Sequence, residues 1–409
     1  VTRSLDSRPG ARPGTTAPTT LRQRLAELRG PSVAPLPLDA RALAALAANP
    51  GCHRRALLDG AGVDKAALAR ALGSPATFGQ SQFAFVRGHA FEARVKADGG
   101  TELVRLLHAR LAGAAAAAPP PGPDDVRIPD LTAAGPEGRT ARTALALREA
   151  TAAGRWTLLD HPLLAMDVAG TPAYLEPDAV VVHPDGSWTV VEIKSFAMVD
   201  GSADAAKVGA AARQAAVYAL ALEPLAGRVA SGATVRHEVL LVCPKDFSNV
   251  PDAALVDIRK QLATTRRQLG RLTGVADIAA ALPEGTSFDL CLADDGRTPR
   301  RPSGELAEAL DAVAPAYAPE CLAACELAFH CRARARAEGS VQTLGRGARA
   351  ELGGLTTIES VLAAAAGEAG DPDDPAVAAL RRAAALRAEA LAPCGAEPVP
   401  AARKELPCH

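Results

Sequence analysis

Lysine is scarce in this chain: of its 45 basic residues in 409, only 7 are Lys and 38 are Arg. A lysine that does occur is therefore conspicuous. Aromatic residues make up 3% and the formal net charge is −1, so nothing suggests a protein that coats nucleic acid by bulk positive charge. Any such contact has to come from a local patch. Long apolar runs are missing too: the run around residues 112–118 is mostly alanine running into Pro119, Pro120 and Pro121, too short to span a bilayer. Arg3, Arg8 and Arg12 lie among Pro, Gly and Thr with no apolar stretch after them. No secretory signal and no membrane partner are expected, and the expected location is cytoplasmic. In that compartment the eight cysteines do not read as a disulfide framework, and the close set Cys321, Cys325 and Cys331 reads as metal ligands.

Residues 1–20, rich in Pro, Gly, Thr and Arg, read as a disordered arm. Helical periodicity starts near Leu21. A helix is expected from Asp39 to Ala48, ending at Asn49-Pro50-Gly51 just before Cys52, then others over Phe78–Ala97 and Thr101–Ala112. Residues 113–136 read as a proline-rich linker or insertion. From about Arg155 the pattern turns to strands at Tyr174–His183, Trp188–Phe196 and Val235–Cys243, with a long helix over Asp204–Leu222 between the last two. Helices are expected again over Pro251–Leu272, Gly304–Val313, Cys321–Glu338 and Ala376–Leu391. A small helical hairpin is expected over Leu344–Ala364, with Thr356 and Glu359 as a capping box. Cys243 and Cys291 read as core positions, and Cys394 and Cys408 fall in a Pro-rich tail.

The strands around Pro184-Asp185-Gly186-Ser187 form a hairpin. Centring the turn between Asp185 and Gly186 sets Asp178 opposite Ile193, between Glu192 and Lys194. Glu192 and Lys194, two apart, share a face while Ile193 points into apolar packing. In that register Asp178 takes the face of Ile193, and joining the charged pair requires a bulge or a loop one residue different in length. Two carboxylates and an ammonium at the end of a Val-rich hairpin are costly to bury uncompensated. A divalent cation on Asp178 and Glu192, Mg²⁺ or Mn²⁺, offsets that cost, and Lys194 would orient water or stabilise developing charge. The plain alternative is a surface hairpin with an incidental salt bridge. Against it stands the choice of lysine at 194 in a chain that otherwise uses arginine.

In these residues the chain resembles the PD-(D/E)XK nuclease superfamily, in particular its RecB-type exonuclease branch. Gly88-His89-Ala90-Phe91-Glu92 and Gln214-Ala215-Ala216-Val217-Tyr218 match further motifs of that branch, in the same order. The resemblance covers about residues 50 to 335. It implies an α/β, restriction-endonuclease-like core, a mixed central sheet flanked by helices, with helical N- and C-terminal additions. It also implies that His89, Glu92 and the Ile193 main chain join Asp178 and Glu192 around the metal, and that Gln214 and Tyr218 bind the substrate backbone or support the site. The division expected is an arm at 1–20, a nuclease domain at 21–335, a helical region at 336–392 and a tail at 393–409.

The spacing Cys321-x₃-Cys325-x₅-Cys331 offers soft thiolates for zinc or an iron-sulfur cluster, and Cys52 is the fourth ligand expected. A single distant cysteine before the core and a triplet after it resemble the iron-sulfur nucleases of the RecB type, including the CRISPR-associated exonucleases and AddAB-type nuclease domains. That resemblance implies a 4Fe-4S cluster, tying both ends of the domain across about 270 residues. Zinc, with His53 or His330 as substitute ligands, and ordinary buried cysteines remain open. Arg54, Arg55, Arg332, Arg334 and Arg336 form an expected basic patch, either phosphate contacts or a solvated helix face. The expected function is metal-dependent cleavage of DNA, at single-stranded or frayed ends, in repair, recombination or defence. The chain holds no helicase motif, so unwinding would fall to a partner protein. The alternatives are a silent nucleic-acid-binding or assembly subunit of the same fold, and a zinc-stabilised scaffold.

Overall fold

The computed structural model describes residues 17–76, 82–112, 119–229, 232–246 and 248–391. The expected arm up to residue 16, Cys394, Cys408 and the expected helix start at Phe78 lie outside them. The chain divides into two compact units: residues 1–316 with 321–330, and residues 317–320 with 331–409.

The first unit is α/β. Its helices α1 (Ala17–Arg29), α2 (Ala40–Ala48), α3 (His53–Ala61) and α4 (Lys65–Ala71) precede α5 (Gln82–Val95), α6 (Thr101–Ala112) and α7 (Gly135–Ala153). Asp39 and Asp64 cap α2 and α4, each accepting from the backbone N–H three residues on, as a short acidic N-cap should. The strands are β1 (Thr157–Asp160), β2 (Leu164–Val168), β3 (Thr171–Leu175), β4 (Ala179–Val182), β5 (Ser187–Ile193), β6 (Thr234–Val235), β7 (Glu238–Pro244) and β8 (Pro251–Asp257). Helix α8 (Ala205–Val229) lies between β5 and β6, and α9 (Arg259–Leu269), α10 (Val275–Ala280) and α11 (Ser303–Asp311) follow β8.

Six of these strands make one mixed sheet in the order β1-β4-β5-β7-β8, with β6 also pairing β5. β5 pairs antiparallel with β4 and parallel with β7, and all seven of its residues are buried, as a strand covered on both faces requires. On one face Ala179, Val181, Val191, Ile193, Leu240 and Val242 pack against Phe91 and Val95 of α5 and Leu103, Val104 and Leu107 of α6. The other face meets α7 and α8, where Trp188 donates its ring N–H to Thr151 at 2.9 Å. β2 and β3 form a separate two-stranded hairpin. Among the described residues no helix is long and apolar enough to cross a membrane.

In several places the folded chain departs from the expected elements. Tyr174–His183 is not one strand: Glu176, Pro177 and Asp178 separate β3 from β4, which belong to different sheets. Pro251–Leu272 is not one helix. Its first seven residues form β8, because the edge of β7 supplies a full antiparallel ladder, and tertiary pairing overrides the helical preference of Ala and Leu. Helix α7 has no counterpart in the expected elements. Cys291 is exposed with φ +47° and lies in no strand, whereas Cys243 is buried in β7 as expected, burial pushing its thiol up to about 12.

The segment Cys321–Glu338 breaks into a 3₁₀ turn (Pro319–Ala323) and α12 (Ala328–Ala337). The chain passes into the second unit within α12. That unit also holds α13 (Arg346–Glu351), α14 (Ile358–Ala366) and α15 (Pro375–Leu391). The capping box of α14 is Thr357 with Ser360, one residue later than expected. Val377 of α15, Ala364 of α14 and Val341 are each buried, and Arg381 donates to the Ala364 carbonyl at 3.3 Å.

Candidate active site

The β4–β5 turn sets the geometry of the site. Gly186 N–H donates to the His183 carbonyl at 3.0 Å and His183 N–H to the Ser187 carbonyl at 2.8 Å. The loop therefore has three residues, Pro184, Asp185 and Gly186, with Gly186 at φ +81°, where a side chain would be strained. Pro184 suits the first inner position of a type I turn, and glycine then takes the left-handed bulge position. The pairs Ala179↔Val191, Val180↔Val190 and Val182↔Trp188 follow. This register is one residue off the expected one, and the extra loop residue is the reason. Continued by one residue it sets Asp178 opposite Glu192, so Asp178, Glu192 and Lys194 share a face.

The side chains confirm that sharing. Lys194 Nζ lies against Glu192 Oε2 as an ion pair and 3.8 Å from Asp178 Oδ2. Asp178 Oδ2 also accepts the Ile193 N–H at 2.6 Å, while the Ile193 side chain enters the opposite, apolar face. Glu192 is 1% exposed, and the Lys194 ammonium is the one partner of its carboxylate among the described residues. Burial, with the Asp178 charge, pushes its carboxyl up to about 7 against the pull of Lys194. Burial disfavours the Lys194 charge, and Glu192 and Asp178 more than restore it.

Helix α5 adds a charged clamp that the motifs left unread. Lys96 Nζ donates to Glu92 Oε1 at 2.6 Å and to the Asp178 main-chain carbonyl at 2.8 Å, and pairs with Asp160 Oδ1 at 2.6 Å. His161, at φ +46°, sits between Glu92 (2.9 Å) and Asp160 (3.0 Å). Those two hydrogen bonds raise His161 to about 9 and lower Glu92 and Asp160 to about 2 each. Asp178 is thus held by its carboxylate through Ile193 and by its carbonyl through Lys96. Lys96 could have been flagged by the same lysine scarcity that marks Lys194, and Glu92 stands at the i, i+4 spacing of a helical ion pair.

The raised His161 value fixes a sign. Its contribution to stability is full below the ordinary histidine value of 6.5 and is lost as pH rises through about 9, because the unfolded chain gives up that proton first. His161→Asn is expected to flatten the loss between those limits, in denaturant melts run at each pH. An unchanged slope would mean that the clamp does not hold the proton.

On α8, Gln214 Nε2 donates to Tyr218 Oη and Tyr218 Oη to the Glu176 carbonyl, both at 3.0 Å. Burial and the Glu192 charge keep the phenol protonated. An open cleft of about 650 Å³ begins here, with Asp178, Gln214, Tyr218, Arg41, Arg139 and Tyr174 in its walls. His89 is exposed on α5. Glu92, its expected companion, is taken up by Lys96 and His161. Among the described residues, no group of three or more His, Cys, Asp or Glu is gathered as a metal site. What the site offers a divalent cation is the pair Asp178 and Glu192. That suits Mg²⁺, which is commonly held by one or two carboxylates with water and phosphate completing its shell.

Cys52 is buried just before α3, its N–H bonded to the Asn49 carbonyl at 3.2 Å, while Asn49 Nδ2 reaches Cys321 Sγ at 3.4 Å. Cys325 N–H donates to the Cys321 carbonyl at 2.8 Å. Cys52, Cys321 and Cys325 belong to the first unit and Cys331 to the second. Arg54 and Arg55, expected as phosphate contacts or a solvated face, are instead buried, at 3% and 6% exposure. Arg54 donates to the Val313 carbonyl and pairs with Asp311, and Arg55 pairs with Asp59 and donates to the Ala324 carbonyl. They fasten α3 to the segment before and after residue 320. Comparison of the chain with protein-family profiles, with curated proteins and with solved structures finds no match.

Proposed function

We propose that this chain is a metal-dependent deoxyribonuclease of the PD-(D/E)XK type, with a restriction-endonuclease-like core and RecB-type motifs. The observation that carries it is the buried Glu192 carboxylate, whose one counter-charge among the described residues is Lys194, on one face with Asp178. Burying two carboxylates with a single ammonium between them is costly, and such a group suits charge chemistry better than packing. A divalent cation, Mg²⁺ or Mn²⁺, held by Asp178 and Glu192 would polarise the scissile phosphate and supply an activated water. Lys194 Nζ would balance charge developing on the phosphoryl oxygens. Lys96 and the Ile193 N–H hold Asp178 in place, and Gln214 and Tyr218 would present the cleft wall to the sugar-phosphate backbone.

The substrate proposed is DNA with single-stranded or frayed ends, in repair, recombination or defence, with unwinding left to a partner helicase. The deciding assay incubates the purified chain with end-labelled single-stranded and duplex DNA, with Mg²⁺ or Mn²⁺ and with chelator. Metal-dependent shortening from an end supports the reading. Binding without cleavage under every condition would favour the silent subunit, a reading that draws on Lys194 already neutralising the carboxylates.

Cys52, Cys321, Cys325 and Cys331 would hold a 4Fe-4S cluster, a structural tie between the chain's two ends. Its support is the soft donor set and the Asn49 link between the Cys52 turn and Cys321. Protein purified without oxygen is expected to absorb in the visible region, and Cys52→Ser to lose that band together with bound iron. A colourless protein with stoichiometric zinc would point to the zinc scaffold, and one with neither metal to ordinary buried cysteines.

A further inference from the structure

We infer that the cleft beside Asp178 seats a single strand of DNA, with Arg41 and Arg139 as its phosphate contacts and Tyr174 as a face for a base. The inference rests on the nuclease reading and extends it to residues that no motif names. Asp178 stands in the cleft wall, so a strand lying there meets its carboxylate. The cleft is open, with a volume of about 650 Å³. A base can stack on a side chain of the wall only where it is unpaired, so the occupant inferred is a single strand and not an intact duplex.

The charges in the walls sort themselves by engagement. Asp39 caps α2 through the Ala42 N–H at 2.7 Å, and Glu176 holds Arg139 at 2.8 Å. The same Arg139 nitrogen reaches the His161 carbonyl at 3.2 Å, so the guanidinium is pinned at the cleft with further donors to spare. Arg41 is exposed on the first turn of α2 and takes part in no ion pair among the described residues. Both arginines line one cleft with Asp39, Glu176 and Asp178, so phosphate contact there rests on Arg41 and on the spare donors of Arg139 and not on a net positive wall. Tyr174, partly buried in β3 with its hydroxyl on Glu137 at 2.9 Å, keeps its ring fixed at the wall. Bases stack on such a ring whatever their identity.

The test uses the full chain carrying Lys194→Ala, so that bound DNA is not consumed, and a fluorescent 12-nucleotide oligo-dT read by anisotropy. Arg41→Ala and Arg139→Ala are each expected to weaken binding about 5- to 20-fold and to reduce the salt slope by about one. Tyr174→Ala should weaken it about 5-fold or more, and a blunt duplex of matching length should bind at least tenfold more weakly than the strand. Glu176→Gln controls for the support of Arg139, and circular dichroism melts confirm folding. Arg41 is on the surface, so its variant tests the idea even if Arg139→Ala fails to fold. Binding within twofold of the parent for both Arg41→Ala and the folded Tyr174→Ala overturns the inference, as does equal binding of the duplex or no binding by the parent. If the lysine-intact chain cuts DNA and these arms fail, the cleft assignment alone falls. If it cuts nothing while the arms succeed, the nuclease reading falls and the strand site stands.

Discussion

Lys194→Ala is expected to lower DNA cleavage by about 10²–10³-fold or more, the scale lost when one charge-stabilising group is taken from a reacting centre, while the fold and oligonucleotide binding persist. The side chain is 25% exposed, so its removal opens no sealed cavity in the core. It does remove the cation that pulls the Glu192 carboxyl down, and Glu192, already at about 7, should then stay protonated above neutrality. A neutral Glu192 is a poor cation ligand. The variant should therefore need more Mg²⁺ for half-maximal residual rate at pH 7 than at pH 8.5, whereas raising pH should not restore the maximal rate. Wild-type activity in the variant would sink the assignment. A companion measurement isolates the carboxyl. Its folded value lies above the ordinary 4.5, so in metal-free protein stability should decline as pH rises from about 4.5 to about 7, the folded state holding the extra proton. Glu192→Gln should erase that part of the slope as well as activity.

Much of this site could be read from the sequence, and its one geometric error is instructive. Asp185-Gly186 announces a hairpin, but Pro184 before it marks a type I turn with Gly186 in the left-handed bulge, giving a three-residue loop. That one residue decides whether Asp178 faces Glu192 or the apolar layer. The α8 pair Gln214 and Tyr218 was legible from spacing alone, since side chains four apart meet on a helix, and so was the helix start, where Asp204 accepts the Lys207 N–H at 2.9 Å. The clamp was only half legible: Glu92 and Lys96 stand four apart, but Asp160 and His161 join them through the pairing of β1 with β4, which no local pattern encodes. β8 was hidden for the same reason, being a strand because β7 offers it an edge. Arg54 and Arg55 misled because charge in sequence suggests solvent, and only the fold supplies the carbonyls and carboxylates that accept a buried guanidinium.

That buried charge carries the second large effect expected. Asp59 is 2% exposed and pairs with both Arg55, 6% exposed, and Lys65, 11% exposed, and Lys65 also approaches Glu326 at 3.9 Å. Burial opposes the Arg55 charge, and Asp59 first, then Cys325 and Glu326, more than offset it. Asp59→Ala leaves two cations sharing a buried space with one partly exposed carboxylate, and breaking such a pair by removing one partner costs about 3–5 kcal/mol. Denaturant melts should show that loss. Replacing the group as a whole, Arg55→Met with Asp59→Leu and Lys65→Met, should cost much less, because no charge is left without its counter-charge. Arg55→Met alone, at a temperature where it is folded, should leave oligonucleotide affinity within twofold, since a guanidinium bonded to the Ala324 carbonyl is turned away from solvent. A large fall in affinity would return Arg55 to the phosphate-binding surface. A small cost for Asp59→Ala would mean that the fastening of α3 to the segment around residue 324 depends on the cysteines or on packing rather than on this ion group.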